Sequence, residues 1–248
     1  MEILNDAWLG ERFGHPVFTV VAQPADAEDL ASEIGRHAAN QASASYQAKV
    51  RARDVGLLRR LGEAGLQVVN LTIVLSRAPG GPPRVEGGSG EVEVRDGRPA
   101  EDDSVLAVVS SDFAATRFHL DPDIPQQIAD DVRRAWVENL LGGRRGDQVI
   151  VAERRGRAVG FLSVVSGTVE GEQVREIDLM AVDHQHRREG IGRSLVSRFL
   201  ADADGRCARV RVGTQAANED AIRFYERLGF TTEESTFDLH MHVGAQWA

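Results

Sequence analysis

Apolar residues along this chain switch repeatedly between the spacing of strands and the spacing of helices. Apolar runs predict strands at 17–21, 46–50 and 67–75, and the segments between them predict helices over about 25–38 and 54–64. Gly35 and Gly65 stand where those helices are expected to stop. Farther along, Val92-Glu-Val94 alternates as a strand does, and an irregular helix is expected near 103–113. Ile124, Ile128, Val132, Trp136 and Leu140 recur every four residues and predict a helix over 125–141 with one apolar stripe facing a core. Strands follow at 148–153 and 158–165, joined by a hairpin-type turn at Gly156-Arg157. A strand over 174–182, a glycine-containing loop, a helix to about 203, a strand at 208–214, a helix at 218–228 and two last strands through Val243 complete the pattern. The polar segment Ser166–Glu172 reads as a loop. This interleaving predicts an α/β (α+β) fold.

Ala78–Gly90 packs three prolines and five glycines into one stretch, a composition that continues neither a helix nor a central strand. It divides the chain into a smaller N-terminal αβ domain (1–77), a linker (78–90) and a second domain (91–248). The segment Leu57–Leu75 echoes Ile222–Thr232 and the strand after it, each reading helix, glycine stop, strand. In that echo Asp54 stands for Asn218 and Leu61 for Tyr225, so the first copy is expected to be a degenerate duplicate.

Composition narrows the class. A hydrophobic fraction of 42% with 27% charged residues describes a chain that folds around a core. The net charge of −9 opposes nucleic-acid and anionic-membrane partners, and no run approaches the length of a membrane span. A single cysteine, Cys207, rules out an intrachain disulfide, and Met1–Asp6 lacks the pattern of a signal peptide, so a cytoplasmic location is expected. A homodimer through strands of the first region is also compatible with the pattern.

The chemistry concentrates where the strand Glu176–Val182 empties into Arg187-Arg-Glu-Gly190-Ile-Gly192-Arg193 and then a helix. Successive N–H groups of a loop at a helix N-terminus converge on phosphate oxygens, and glycine lets the backbone approach them. A dinucleotide-binding fingerprint would need a small residue where this chain has Leu195, and a Walker loop would need Gly-Lys-Ser/Thr, which is absent.

The order strand, Arg-x-x-Gly-x-Gly, helix, strand, then Asn218 and Tyr225 seven residues apart ahead of Leu228-Gly229-Phe230 resembles the GNAT superfamily of acyl-CoA-dependent N-acyltransferases, over roughly the last 150 residues. The resemblance implies a bent sheet whose strands carrying Met180 and Val212 splay apart around the pantetheine arm of acetyl-CoA. It implies that the backbone around Met180, Ala181 and Val182 holds the acyl carbonyl and pantetheine, and that Arg187, Arg188, Glu189, Gly190, Ile191, Gly192 and Arg193 form the pyrophosphate loop. It further implies that Asn218 bonds the pantetheine or caps its helix, and that Tyr225 protonates the departing thiolate; packing beside Phe224 is the alternative for Tyr225.

An amine acceptor must lose a proton before it attacks. Glu176 and Asp178 lie two apart on one strand and share a face, and paired carboxylates raise the pKa of one of them. The base is therefore Glu176, Asp178 or a water chain. No metal is expected, because His184-x-His186 has no third ligand in register. Trp8 with Phe13-Gly-His-Pro-Val17, and Thr116-Arg-Phe-His-Leu-Asp-Pro122, resemble the branch of the superfamily that acetylates TDP-fucosamine. That likeness implies that Arg117 and His119 lie over the acceptor cleft; a helix-capping turn ending at Pro122 is the alternative. His240 shares a strand face with His242 and is a further candidate for substrate contact. The expected acceptor is a small amine, an amino-deoxy sugar on a nucleotide; an aminoglycoside-like amine, or a CoA-binding regulatory module without chemistry, are the alternatives.

Overall fold

A computed structural model describes residues 1–26, 29–80, 92–97, 105, 108 and 116–247. Most of the expected linker and most of the helix expected near 103–113 lie outside the described residues, although Val105 and Val108 are helical and fully buried. In chain order the elements are β1 (Glu2–Asn5), α1 (Ala7–Phe13), β2 (Val17–Val21), α2 (Leu30–Ala39), β3 (Ala44–Arg51), α3 (Val55–Glu63), β4 (Gln67–Arg77), β5 (Val92–Asp96), α4 (Arg117–Leu120), α5 (Gln126–Leu141), β6 (Gln148–Arg154), β7 (Arg157–Val169), β8 (Glu172–Val182), α6 (Ile191–Ala203), β9 (Arg209–Gln215), α7 (Glu219–Arg227) and β10 (Thr231–Val243).

All ten strands form one sheet in the order β1-β2-β3-β10-β4-β9-β8-β7-β6-β5. Only β2/β3 and β8/β9 are parallel. One strand, not two, follows α7: β10 is long enough to pair with β3 along one edge and β4 along the other, absorbing the mismatch in bulges. Both sequence regions thus contribute to the centre of the same sheet.

The internal echo is a feature of the fold. Matching Asp54 to Asn218 and Gly65 to Gly229 also matches Thr72 to Thr236, and those two threonines lie directly opposite each other in the β4/β10 ladder. The flanking ladders agree in register, since Lys49↔Asp238 corresponds to Gly213↔Val74 and Arg51↔Thr236 to Gln215↔Thr72. The parallel ladders end at corresponding rows as well, Val20↔Ala48 in one half and Ile177↔Val212 in the other. A pseudo-two-fold axis therefore passes between Thr72 and Thr236, and each half donates its last strand to the other.

Local chemistry explains the other departures from the sequence pattern. Gly35 sits inside α2, where Ile34 and Ala38 on either side are buried against the sheet and hold the helix through it. Ser166–Glu172 is strand rather than loop: β7 and β8 extend through it and close at Glu170-Gly171, whose φ values of 51° and 84° belong to a two-residue hairpin turn. Helix α6 buries Leu195, Val196, Phe199 and Leu200 against β6, β7, β9 and Leu75 of β4. Helices α2 and α3 cover β3 and β10 of the first half in the same manner. On another face, α1 and α5 enclose a cluster of Leu9, Phe13, Val17, Phe118, Ile128 and Val132.

Candidate functional site

Beyond Ile177↔Val212 the parallel strands β8 and β9 separate. A β-bulge helps open the gap, because the β7/β8 register shifts between Ser163↔Leu179 and Val164↔Ile177 and leaves Asp178 as the extra residue. On β8, the N–H of Leu179 donates to Ser163 Oγ (3.0 Å) and that of Asp183 to Val159 O (2.9 Å), both on β7. Alternation along the strand then turns the N–H groups of Met180 and Val182 the other way, into the gap. Leu179, Met180 and Val182 from β8 and Val212, Gly213 and Thr214 from β9 line a cavity of about 740 Å³.

At one end of this cavity stands the arginine-glycine loop. Asp183 accepts from the Gln185 N–H (2.9 Å) and opens a single 3₁₀ turn, His184–His186. The chain then reverses through left-handed backbone at Arg188 (φ 64°) and Gly190 (φ 84°) and enters α6 at Ile191. Gly192 lies against α7, where a Cβ would stand in ordinary contact with Phe224 Cζ at 3.4 Å. Arg187, Arg188, Gly190, Ile191, Gly192 and Arg193 all line the cavity. Glu189 points elsewhere, its carboxylate bound by Arg154 (2.9 Å).

Helix α7 closes the other side. Asn218 caps it, Oδ1 accepting from the Ala221 N–H (3.2 Å), and the same residue borders the cavity. One face down, Tyr225 is buried between Phe224 and Phe230, with its hydroxyl 4.0 Å from Met180 Sδ. Burial pushes the Tyr225 phenol above its ordinary pKa, so it stays a proton-bearing donor through the neutral range.

Glu176 and Asp178 both line an adjoining cavity of about 380 Å³, and their surroundings set them apart. Asp178 is gripped through both oxygens by Arg145 (2.8 and 2.7 Å). Glu176 has Arg211 at 3.6 Å, and that arginine is shared with Glu233 and Glu234. Burial pushes the Glu176 carboxyl up by more than Arg211 and Lys49 pull it down. The raised Glu176 carboxyl is thereby moved toward proton exchange nearer neutrality.

The three residues assigned to the acceptor side have different surroundings. Arg117 borders both cavities, stacked 4.5 Å from the Phe118 ring and 5.8 Å from Trp136, and it donates to Gln47 (3.1 Å). His119 bonds Thr116 through Nδ1 (2.7 Å to Oγ1) and Asp130 through Nε2 (3.2 Å), which engages both ring nitrogens in capping and bracing α4. His240 donates through Nδ1 to Asp121 Oδ2 (2.7 Å), and His242 Nε2 reaches the same oxygen (3.0 Å). From His242 the chain of contacts continues through Ser45 to His15 (2.7 Å each), so the two motifs at residues 13–17 and 116–122 meet in one buried network. The ligand-type atoms of Asp121, His240 and His242 lie within 4.8 Å of one another, a spacing that suits a metal ion as well as the hydrogen bonds described.

This network carries a stability prediction. Burial pushes the Asp121 carboxyl up, but hydrogen bonds from His240, His242 and the Asp123 N–H outweigh it and hold the pKa well below the usual carboxylate range. A carboxyl lowered in this way contributes stability above its unfolded pKa of about 3.9 and loses it as pH falls below that. Asp121→Asn is expected to cost about 2 kcal/mol at pH 7, a drop of roughly 5 °C in Tm. The gap to wild type should hold down to about pH 4 and close below it. Thermal melts from pH 3 to 8 check both points.

Residues that sequence reasoning missed also line the main cavity: Lys49, Asn70, Thr72 and Asp238. Their only signal is a polar residue inside an apolar strand, as in Val69-Asn70-Leu71 and Phe237-Asp238-Leu239. Arg145 and Arg211 were likewise missed, because their carboxylate partners are remote in sequence.

A model described as Acetyltransferase (GNAT) family matches residues 106–230. The spore coat polysaccharide biosynthesis protein SpsD of Bacillus subtilis (strain 168) is 30% identical over 149 residues, covering 60% of this chain and 50% of SpsD. The chain spans about half the length of the curated relatives it matches. A GCN5-related N-acetyltransferase from Sphaerobacter thermophilus superposes with a TM-score of 0.61 at 16% identity, over 98% of this chain and 76% of that one. A tandem GNAT protein from the clavulanic acid biosynthesis pathway superposes with a TM-score of 0.59 at 13% identity, over 93% and 76% of the two chains. At these identities the two structures show the fold alone. Among the described residues no helix is long and apolar enough to cross a membrane.

Proposed function

Since this chain belongs to the Acetyltransferase (GNAT) family, we propose that it transfers an acetyl group from acetyl-CoA to a primary amine by direct attack, the acceptor being an amino-deoxy sugar carried on a nucleotide. The observation that carries the reading is one continuous cavity that runs from the arginine-glycine loop, past the inward N–H groups of Met180 and Val182, to the Tyr225 hydroxyl. Anion-binding backbone, an oxyanion site and a proton donor thus lie along one path. The sugar assignment rests on the similarity to SpsD and on Arg117, a cation at the cavity wall suited to a phosphate. The resemblance of residues 13–17 and 116–122 to the TDP-fucosamine branch supports it.

In this reading the loop 187–193 receives the diphosphate, and the Met180 N–H holds the thioester carbonyl oxygen as negative charge grows there. Glu176 takes the ammonium proton, directly or through water, so that the nitrogen lone pair can form the C–N bond. As the C–S bond breaks, the Tyr225 hydroxyl gives its proton to sulfur, and solvent returns the proton from Glu176 to the phenolate.

Thiol release from acetyl-CoA, measured with free, UDP-linked and TDP-linked amino sugars, tests the proposal. Turnover of a linked sugar with strong competition by TDP is expected. Weak competition with turnover of polyamines would move the acceptor to the aminoglycoside-like class, and saturable acetyl-CoA uptake with no turnover of any amine would refute the enzyme reading. Glu176→Gln should lower kcat about 100-fold. The acidic limb of the wild-type profile should lie above the ordinary glutamate value, because Glu176 loses its function on protonation as pH falls through its raised pKa. The Gln variant should lack that limb.

A further inference from the structure

The buried carboxylate of Asp238 is not accounted for by the transfer chemistry. It lies on β10, directly across from Lys49 on β3 and Asn70 on β4, and is 2% exposed. Its Oδ2 accepts from Asn70 Nδ2 and Thr72 Oγ1, both at 2.8 Å. Its Oδ1 is buried and has no hydrogen-bond partner, the nearest cation being Lys49 Nζ at 3.7 Å. Lys49, the only lysine of the chain, keeps its ammonium in solvent with a side-chain exposure of 61%. Asp238 also forms part of the wall of two cavities, the main one and a second of about 290 Å³ that includes Thr19, Gln47 and His240. A carboxylate oxygen kept out of water and left without a donor at a cavity wall is an acceptor waiting for a ligand hydrogen.

Arg117 complements it. Its side chain borders the same two cavities, and among the described residues it donates one hydrogen bond, to the neutral Gln47 side chain (3.1 Å). A ligand seated between the two residues would present a hydrogen-bond donor to Asp238 and negative charge to Arg117. A phosphorylated or nucleotide-linked polyol meets both requirements; a polyamine meets only the first.

We propose that Asp238 is a specificity-determining residue for the acceptor, Oδ1 accepting a hydrogen bond from a hydroxyl of the amino-sugar ring. The assignment rests on the amino-sugar reading given above and deepens it. Asn70 and Thr72 are positioning residues, holding the carboxylate through Oδ2 and leaving Oδ1 without a donor. The site lies beside the pseudo-two-fold axis, where its counterpart in the other half is Val74.

Asp238→Asn tests the role. The amide oxygen can still accept from Asn70 and Thr72, while an NH₂ donor replaces the acceptor at the cavity wall. The expected result is a 10- to 100-fold rise in KM for the acceptor, with KM for acetyl-CoA and Tm unchanged. A residue that merely fastens β10 between its neighbours would instead lower Tm and leave the acceptor KM as it was, and that outcome overturns the proposal. A crystal structure of the protein with CoA and D-glucosamine gives a readout independent of turnover. A ring hydroxyl within hydrogen-bond distance of Asp238 Oδ1 is expected. A sugar bound elsewhere, no bound sugar, or Oδ1 closed directly onto Lys49 Nζ overturns the assignment. Failure of every amino sugar in the thiol-release assay would refute the functional reading separately, since the crystal contact is judged without it.

Discussion

Residues 91–248 produced without the first 77 residues are expected not to reach a cooperative fold. Strand β10 pairs with β3 and β4 along its two edges, and both belong to the first region. Removing them strands the backbone of the 13-residue β10 and also takes β4 from β9, which lines the acyl gap. Leu75 of β4 is fully buried in the same cluster as Leu195, Phe199, Tyr225 and Phe230, so the cut opens the core beneath the reacting groups. Two adjacent unpaired edges with apolar faces favour aggregation. Circular dichroism melts and size-exclusion profiles of the fragment should show insoluble or non-cooperative material, and co-expression with residues 1–77 should restore a folded complex. A sharp, reversible melt of 91–248 alone would show that the exchanged strands are dispensable.

The same exchange explains which parts of the fold could be read from the sequence. Elements whose pattern is local are recognisable: the stripe from Ile124 to Leu140, the hairpin at Gly156, and the strand–loop–helix around Gly190 all declare themselves within twenty residues. The pseudo-symmetry of the sheet has a local trace in the paired helix–glycine–strand segments. Partner choice leaves no such trace. Nothing in Thr231–Val243 says that its neighbours come from residues 44–77, and a glycine- and proline-rich segment between two αβ regions suggests separation even where both feed one sheet. The short β1 and α1 were missed because four and seven residues carry too little periodicity.

The site divides along the same line. The resemblance to the GNAT superfamily points to Met180 and Val182, and the loop ahead of a helix points to Gly190 and Gly192; all four line the cavity. Side-chain electrostatics depend on residues brought in from elsewhere. Asp178 and Glu176 are equivalent in sequence; Arg145 and Arg211 make them different. The resemblance puts His119 and His240 beside the acceptor cleft, but their partners Thr116, Asp130 and Asp121 are visible only in three dimensions.

Tyr225→Phe is expected to lower kcat by about 100-fold while leaving KM for acetyl-CoA nearly unchanged. The substitution is close to isosteric: the ring keeps its edge contacts with Phe224 (5.1 Å) and Phe230 (5.5 Å), and among the described residues the hydroxyl it removes has Met180 Sδ, at 4.0 Å, as its hydrogen-bond partner. Losing that weak contact costs the fold little, so Tm should hold and the effect should fall on the step in which sulfur leaves. The pH profile distinguishes this role from a generic loss. A phenol of ordinary pKa, about 10, would begin to lose its proton in alkaline assays, and its advantage over phenylalanine would fade there. Burial pushes Tyr225 higher, so the ratio of wild-type to variant kcat should stay constant from pH 6 through pH 10. Steady-state kinetics over that range, with melts at each pH, provide the measurement. Full activity in the variant would assign Tyr225 to packing and leave protonation of the thiolate to water, whereas a ratio that collapses near pH 10 would show that burial does not raise the phenol above its ordinary pKa.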